Sequence, residues 1–322
     1  LIYIFYHINF LIFTENIMHL HEKKIYLDNM SSTKVDETVI TAMNDCMKSM
    51  AGICNPSTSH PINYEARKVI YEAESNLRKL INANFGNLIW TSGATESVNL
   101  ALMSLLSFKN SGSHIITTEI EHSSTLKCCQ HLEKKGFNIT YLKPSSTGMF
   151  SISDFYNACN NSTVLISISH INSEIGTVTE LTELIKFTKE KGILLHLDAA
   201  QSLGKISIDL AAHPIDLISF SAHKIHGPKG CGALYYSDKM RLTPIFFGGE
   251  QQNYRPGTLA TPLIIGFGQA CLNAGKLENI NKQEYCLKLR NDLWEQITKN
   301  LDNIKLNGPP LQSRADNNLN FC

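Results

Sequence analysis

The chain has 322 residues, 43% hydrophobic and 18% charged, with 29 basic and 29 acidic side chains. Zero net charge argues against nucleic acid or an anionic membrane surface as the main partner, and the length allows two small domains or one large domain with an appendage. Nine scattered cysteines, with Cys128 and Cys129 adjacent but no CxxC pair and no metal-finger spacing, predict no metal site, mostly buried thiols and a reducing compartment, hence the cytoplasm.

The first stretch, LIYIFYHINFLIF, is apolar but shorter than the roughly 20 residues of a membrane helix. It has no basic flank and no small-residue cleavage site, which disfavours a signal peptide. Because the chain starts with Leu1 and Met18 follows, residues 1–17 are expected to be an unstructured or spurious extension. A membrane anchor is the alternative.

From Met18 onward strands and helices alternate. The first informative unit is LIWTSGATESVNLAL, Leu88 to Leu102: an apolar strand, a small-residue turn and a helix. The amides of Gly93, Ala94 and Thr95 would meet at the helix N-terminus, where backbone donors and the dipole favour an anion. No Lys-Ser/Thr follows the glycine and the GxGxxG spacing is missing, so this is not a nucleotide loop. A capped helix start at Ser92 or Thr95 is the plainer explanation.

Further strands are expected at His114–Thr118, Asn138–Leu142 and Thr163–Ser169, then a helix from TELTELIKFTKEKG ending on Gly192. The next strand, from Ile193, ends its apolar run at Asp198. In a parallel sheet that position lies at the carboxyl edge, the usual ligand crevice, although a lone aspartate there is more often a helix cap. Another strand, Asp216–Ser221, runs into the Gly/Pro-rich loop around Lys224, and Gly232–Tyr236 follows. A partly buried lysine at a strand end is a usable nucleophile for an aldehyde, whereas a surface loop lysine is the bland alternative. Lys224 and Asp198 together match what pyridoxal 5'-phosphate requires: an amine for the aldehyde and a carboxylate that keeps the ring nitrogen protonated. A last helix is expected from Gln283 to Leu301. The alternation predicts an α/β fold with a mainly parallel seven-stranded sheet covered on both faces.

These stretches, together with YLDNMSST (from Tyr26), CNPSTSH (from Cys54), EIEHSS (from Glu119), SHINSEIGT (from Ser169) and RPGT (from Arg255), resemble the cysteine desulfurases of the NifS/IscS type, in the class V aminotransferase family. The likeness runs in register from about Tyr26 to the last residue. It implies the aspartate-aminotransferase-like fold, with residues 34–278 as the cofactor-binding large domain and residues 18–33 and 279–322 as an incomplete small α+β domain. It also implies pyridoxal phosphate as cofactor, L-cysteine as substrate and a homodimer. By the same resemblance Lys224 carries the cofactor, and His122 stacks on its ring and moves protons. Gln201 and Ser173 face its phenolic oxygen, while Ala94, Thr95, Ser221 and His223 bind its phosphate. Thr258 reaches the phosphate of the neighbouring subunit.

The chain departs from the family at several points. Ser173 stands where the family has Asn, with Asn172 one place earlier. Met30, Ser31 and Ser32 replace Ala-Ala-Thr, and Asn63 and Tyr64 replace Gly and Arg. NNLNFC, ending at Cys322, matches the strand before the family's mobile loop. None of the nine cysteines holds the catalytic loop position, nor does the sequence reach the arginine that binds the substrate carboxylate. The expectation is a cysteine desulfurase-like protein, L-cysteine to L-alanine with sulfur passed on as persulfide for iron-sulfur or thio-cofactor synthesis. The missing thiol would come from a sulfur-acceptor protein, a scaffold or a separate C-terminal fragment. The alternatives are a non-catalytic relic or scaffold, and another class V reaction such as selenocysteine lysis or transamination.

Overall fold

The computed structural model describes residues 25–107, 109–249 and 251–322. The extension expected at residues 1–17, and the first part of the expected small-domain segment, lie outside them.

Helix α1 (Glu37–Lys48) is capped by the Asp36 carboxylate, which accepts the Thr38 N–H. Helix α2 is Tyr64–Leu80, strand β1 Asn87–Thr91 and helix α3 Ala94–Met103. Strand β2 (His114–Thr118), helix α4 (Ser123–Lys134), strand β3 (Asn138–Leu142), helix α5 (Ile152–Ala158) and strand β4 (Thr163–Ser169) follow. Next come α6 (Thr182–Lys191), β5 (Leu194–Asp198), β6 (Leu217–Ser221), β7 (Gly232–Tyr236), α7 (Thr261–Ala274) and α8 (Leu277–Asn300).

The strands form one sheet in the order β1-β7-β6-β5-β4-β2-β3. Strands β2 to β6 run parallel, and β7 lies antiparallel between β1 and β6. The expected seven-stranded, mainly parallel α/β sheet is therefore present. Neighbouring residues in the strands feed opposite faces, as the two-residue period requires. Ile116, Ile166, Ile218 and Tyr235 join one core with α2 and α7. Ile115, Leu165, Leu217 and Leu234 join the other, with α3 and α4. Edge strand β1 is closed by a side chain: the Gln252 carboxamide accepts the Trp90 N–H at 2.7 Å and donates to its carbonyl at 3.0 Å.

Several boundaries differ from expectation, each for a local reason. Strand β6 starts at Leu217 because Asp216 leaves the ladder; its carboxylate accepts the Leu195 N–H at 2.9 Å and pairs with Lys239. Helix α3 stops at Met103, although the periodic run TESVNLALMSLL continues to Leu106, because the Ser104 hydroxyl donates back to the Leu100 carbonyl and the chain tightens to a 3₁₀ turn. Helix α6 starts at Thr182, its first amides served by the Glu180 carboxylate, and ends on left-handed Gly192 as expected. Helix α8 begins at Leu277 rather than Gln283, because no glycine or proline interrupts the run from Lys276 to Asn300.

The segment after α8 folds back along the loop that follows β4. Lys305 and Cys322 exchange backbone hydrogen bonds, and Ala315 N–H reaches the Gly176 carbonyl. The buried Arg314 guanidinium donates to the Asn307 and Pro309 carbonyls. Among the described residues no helix is long and apolar enough to cross a membrane.

Candidate active site

The carboxyl ends of β4, β5 and β6 open into a cavity of about 680 Å³. The parallel register sets Ser169 beside Asp198, and Asp198 beside Ser219. Both Asp198 and Lys224 therefore border one space, and the N-terminus of α3 closes its side.

Asp198 is 7% exposed and accepts the Ala200 N–H at 3.0 Å. Burial pushes its carboxyl up, against the opposing pull of Ala200, His122 and Lys224. A cation placed against this carboxylate would supply the charge that burial withholds. Lys224 follows β6 on a single 3₁₀ turn, and its Nζ donates to the Met30 carbonyl at 2.5 Å and the Ser31 carbonyl at 2.8 Å. Burial draws its amine down, while Asp198, Asp28 and Glu174 oppose that shift.

The loop carrying Lys224 is locked to the segment before α1. Thr33 donates to the His223 carbonyl, and Asp36 N–H to that of His226. His226 holds a left-handed conformation with φ 64°, and the Thr33 hydroxyl accepts its N–H. His223 Nδ1 meets the Ser32 hydroxyl; burial, with positive charge on Lys224, Lys229 and Lys205, lowers its pKa.

His122 caps α4. Its Nδ1 accepts the Ser124 N–H at 3.1 Å, so the neutral ring carries its proton on Nε2. Ala94 and Thr95 stand in the first turn of α3, whose leading amides have no intrahelical acceptor. Gly93 takes a φ of 151°, and Gly232 is required beside it: a Cβ on Gly232 would fall 2.5 Å from the Gly93 Cα. Glu96 fixes this turn by accepting the Ser92 N–H and the Arg255 guanidinium at 2.9 Å. Burial works against its ionisation, but those two donors hold its carboxyl below the usual range.

Gln201 lines the cavity and donates to the Met30 carbonyl at 2.7 Å. Ser173 lines it too, with its hydroxyl on Glu174. Asn172 does not stand in for the missing asparagine. Its amide is spent on the Ile120 carbonyl, and its oxygen on the Glu174 and Ile175 N–H groups. Thr258 is exposed on the loop before α7 and stands apart from this cavity, as do Asn63 and Tyr64 at the start of α2. None of the nine cysteines lines it; Cys322 is exposed on its paired segment.

Several contributors escaped sequence reasoning. The Met30 and Ser31 carbonyls are backbone atoms and leave no side-chain signature. Glu121 lies beneath His122, bonded to the Thr118 and Ser169 hydroxyls; burial first, then Asp198, raises its carboxyl to about 7. Its place beside the histidine in EIEHSS was the available signal.

The pattern of class V aminotransferases matches residues 25–322. The chain belongs to that family. It is 40% identical over 302 residues to a protein named cysteine desulfurase IscS from Pseudomonas fluorescens, covering 92% of this chain and 74% of that one. A solved NifS-like protein superposes with a TM-score of 0.85 at 30% identity, over 91% of this chain and 80% of the other. A structure described as SspA in complex with cysteine is 36% identical with a TM-score of 0.76, over 81% and 76%. The resemblance to NifS/IscS cysteine desulfurases thus holds along the matched length, and this family depends on pyridoxal phosphate.

Proposed function

We propose that the protein is a cysteine desulfurase that binds pyridoxal 5'-phosphate in the cavity between Asp198 and Lys224. The observation that carries this reading is the convergence of a buried carboxylate, a half-buried amine and a helix N-terminus on one space of suitable size. The donor set fits the group. Asp198 would hold the ring-nitrogen proton, Lys224 the aldehyde carbon, and the Ala94 and Thr95 amides with Ser221 and His223 the phosphate. Pyridoxal phosphate supplies an electron sink for charge developing at the substrate α-carbon. His122, with its Nε2 proton and a fixed Nδ1, is placed to stack on the ring and to hold or move a proton above it. Gln201 and Ser173 border the phenolic-oxygen side.

In this reading L-cysteine leaves as L-alanine and its sulfur departs on an acceptor thiol. That thiol is not among the side chains lining the cavity. The same observation favours a second reading, a scaffold that keeps the cofactor site but releases no sulfur. A homodimer agrees with the exposed position of Thr258 outside its own cavity, where it is available to a neighbour. The nine free cysteines agree with a reducing, cytoplasmic setting. Residues 34–278 would form the cofactor-binding unit, and the segments on either side part of a smaller one.

Two measurements test this. Purified protein should take up pyridoxal phosphate with a visible absorbance band that is absent in Lys224→Ala; a band that survives the substitution removes the assignment. Incubation with L-cysteine and a thiol reductant should release alanine and sulfide in equal amounts; no alanine from cofactor-loaded protein favours the scaffold.

A further inference from the structure

Lys205 lies four residues past Gln201 in the turns after β5, behind the wall that carries Lys224. Its Nζ donates to the Gln201 Oε1 at 3.3 Å. The Gln201 Nε2 donates to the Met30 carbonyl, and that carbonyl also accepts Lys224 Nζ. Two lysines are therefore joined through one carboxamide and one backbone oxygen. An ammonium only donates, so a carboxamide held by Lys205 must offer it the oxygen and turn its NH₂ the other way. The NH₂ end is the one that an oxygen acceptor in the cavity needs.

The electrostatics agree. Burial, then the charge on Lys224, pushes the Lys205 amine down to about 8, with Cys286 opposing. Lys205 also borders a second cavity, of about 690 Å³, whose charged walls come from several elements. Asp36, Glu180 and His226 face it from one side, and Lys282, Arg314 and Asp316 from α8 and the segment beyond. On the Lys224 side stand Asp28, Glu174 and Asp198, with His122, His223 and Lys229. The charge on Lys224 thus favours loss of the proton from Lys205, the amine that gives way first.

We propose that Lys205 is a positioning residue: its half-buried ammonium fixes which end of the Gln201 carboxamide faces the cavity, and within the linked pair it yields its charge to Lys224 rather than the reverse. The role of the amide rests on the proposed cofactor reading, whereas the coupling of the two lysines exists without cofactor. The test is the pH profile of Lys205 acetylation by acetic anhydride, followed by peptide mass mapping on the full chain freed of cofactor. Lys224→Met should raise the Lys205 midpoint by about one pH unit, and Lys224→Arg should leave it near the parent value. Lys205→Met should weaken pyridoxal phosphate binding about tenfold, an effect that disappears in a Gln201→Leu background. An unchanged midpoint in a variant with a parental thermal melt overturns the proposal. If Lys224→Met does not fold, the parent profile decides: a coupled pair gives a curve broader than one proton, and a one-proton curve overturns it. Should the parent take up no cofactor while the midpoint still moves, the proposed function fails and the lysine coupling stands.

Discussion

The floor and the rim of the cavity are built in opposite ways. The floor is side chains on adjacent parallel strands: His196 on β5 bridges Ser167 on β4 at 2.8 Å and Ser219 on β6 at 2.9 Å, just below Asp198. The rim is backbone from distant segments, with Met30 and Ser31 offering carbonyls to Lys224 across more than 190 residues of sequence. A floor set by register stays rigid, because slipping one strand by a residue would turn every side chain over. A rim set by a few hydrogen bonds to a segment with exposed neighbours can open at lower cost. The division suits a site that must hold a ring still while a substrate enters.

The largest expected effect lies where rim and floor meet. Lys224→Ala should abolish the visible band of bound pyridoxal phosphate, yet leave the thermal melt within about 1 kcal/mol of the parent, because its amine bonds only rim carbonyls. A large loss of stability instead would show that the rim is part of the rigid core.

The floor should respond differently. Burial pushes the His196 ring down to about 3, so it is neutral and can serve both serine hydroxyls. His196→Leu leaves those hydroxyls without their partner and should cost about 3 kcal/mol in urea unfolding. The unfolded ring titrates near 6.5, above the folded value, so the unfolded state binds the extra proton between about pH 6.5 and 3. Parent stability should therefore fall as the pH drops through that window, and the fall should be shallower in the variant. His170, drawn down to about 4 by burial, adds to the parent slope.

Glu121 tilts the other way. Its carboxyl is raised to about 7, so its contribution is complete below the unfolded value near 4.5 and is lost as pH rises through 7. Glu121→Gln keeps the shape and removes the titration. It should be the more stable protein at pH 8, by roughly 2 kcal/mol, and lose that advantage at pH 5. Equal melts at both pH values would mean that the carboxylate is ionised in the fold at little cost.

This contrast also accounts for what could be read from the chain. Strands β2, β3, β4 and β7 begin and end where apolar alternation placed them, and Asp198 and Lys224 reach the edge that strand polarity implies. Alternation is a local signal, so the floor was legible. The antiparallel insertion of β7 between β6 and the distant β1 had no local mark. Nor did the locking of His226 by Thr33, or the Lys205–Gln201–Met30 chain, since each joins residues remote in sequence or uses backbone atoms. The substitution at Ser173 was visible, but only the structure shows that Asn172 is committed to its own turn.

The smallest expected effect sharpens the comparison at that position. Ser173 reaches no further than the Glu174 carboxylate, and the Asn172 amide, although it borders the cavity, donates to the Ile120 carbonyl. Ser173→Asn would add a longer amide on the phenolic-oxygen side without disturbing the Asn172 turn. One added hydrogen bond contributes about 1 kcal/mol, so pyridoxal phosphate should bind roughly fivefold tighter, read by titrating its absorbance. The gain should be smaller than a floor residue would give, because part of it is spent ordering a mobile side chain on a half-exposed loop. If affinity instead falls, Glu174 captures the new amide as it does the serine, and the rim competes with the cofactor rather than supporting it.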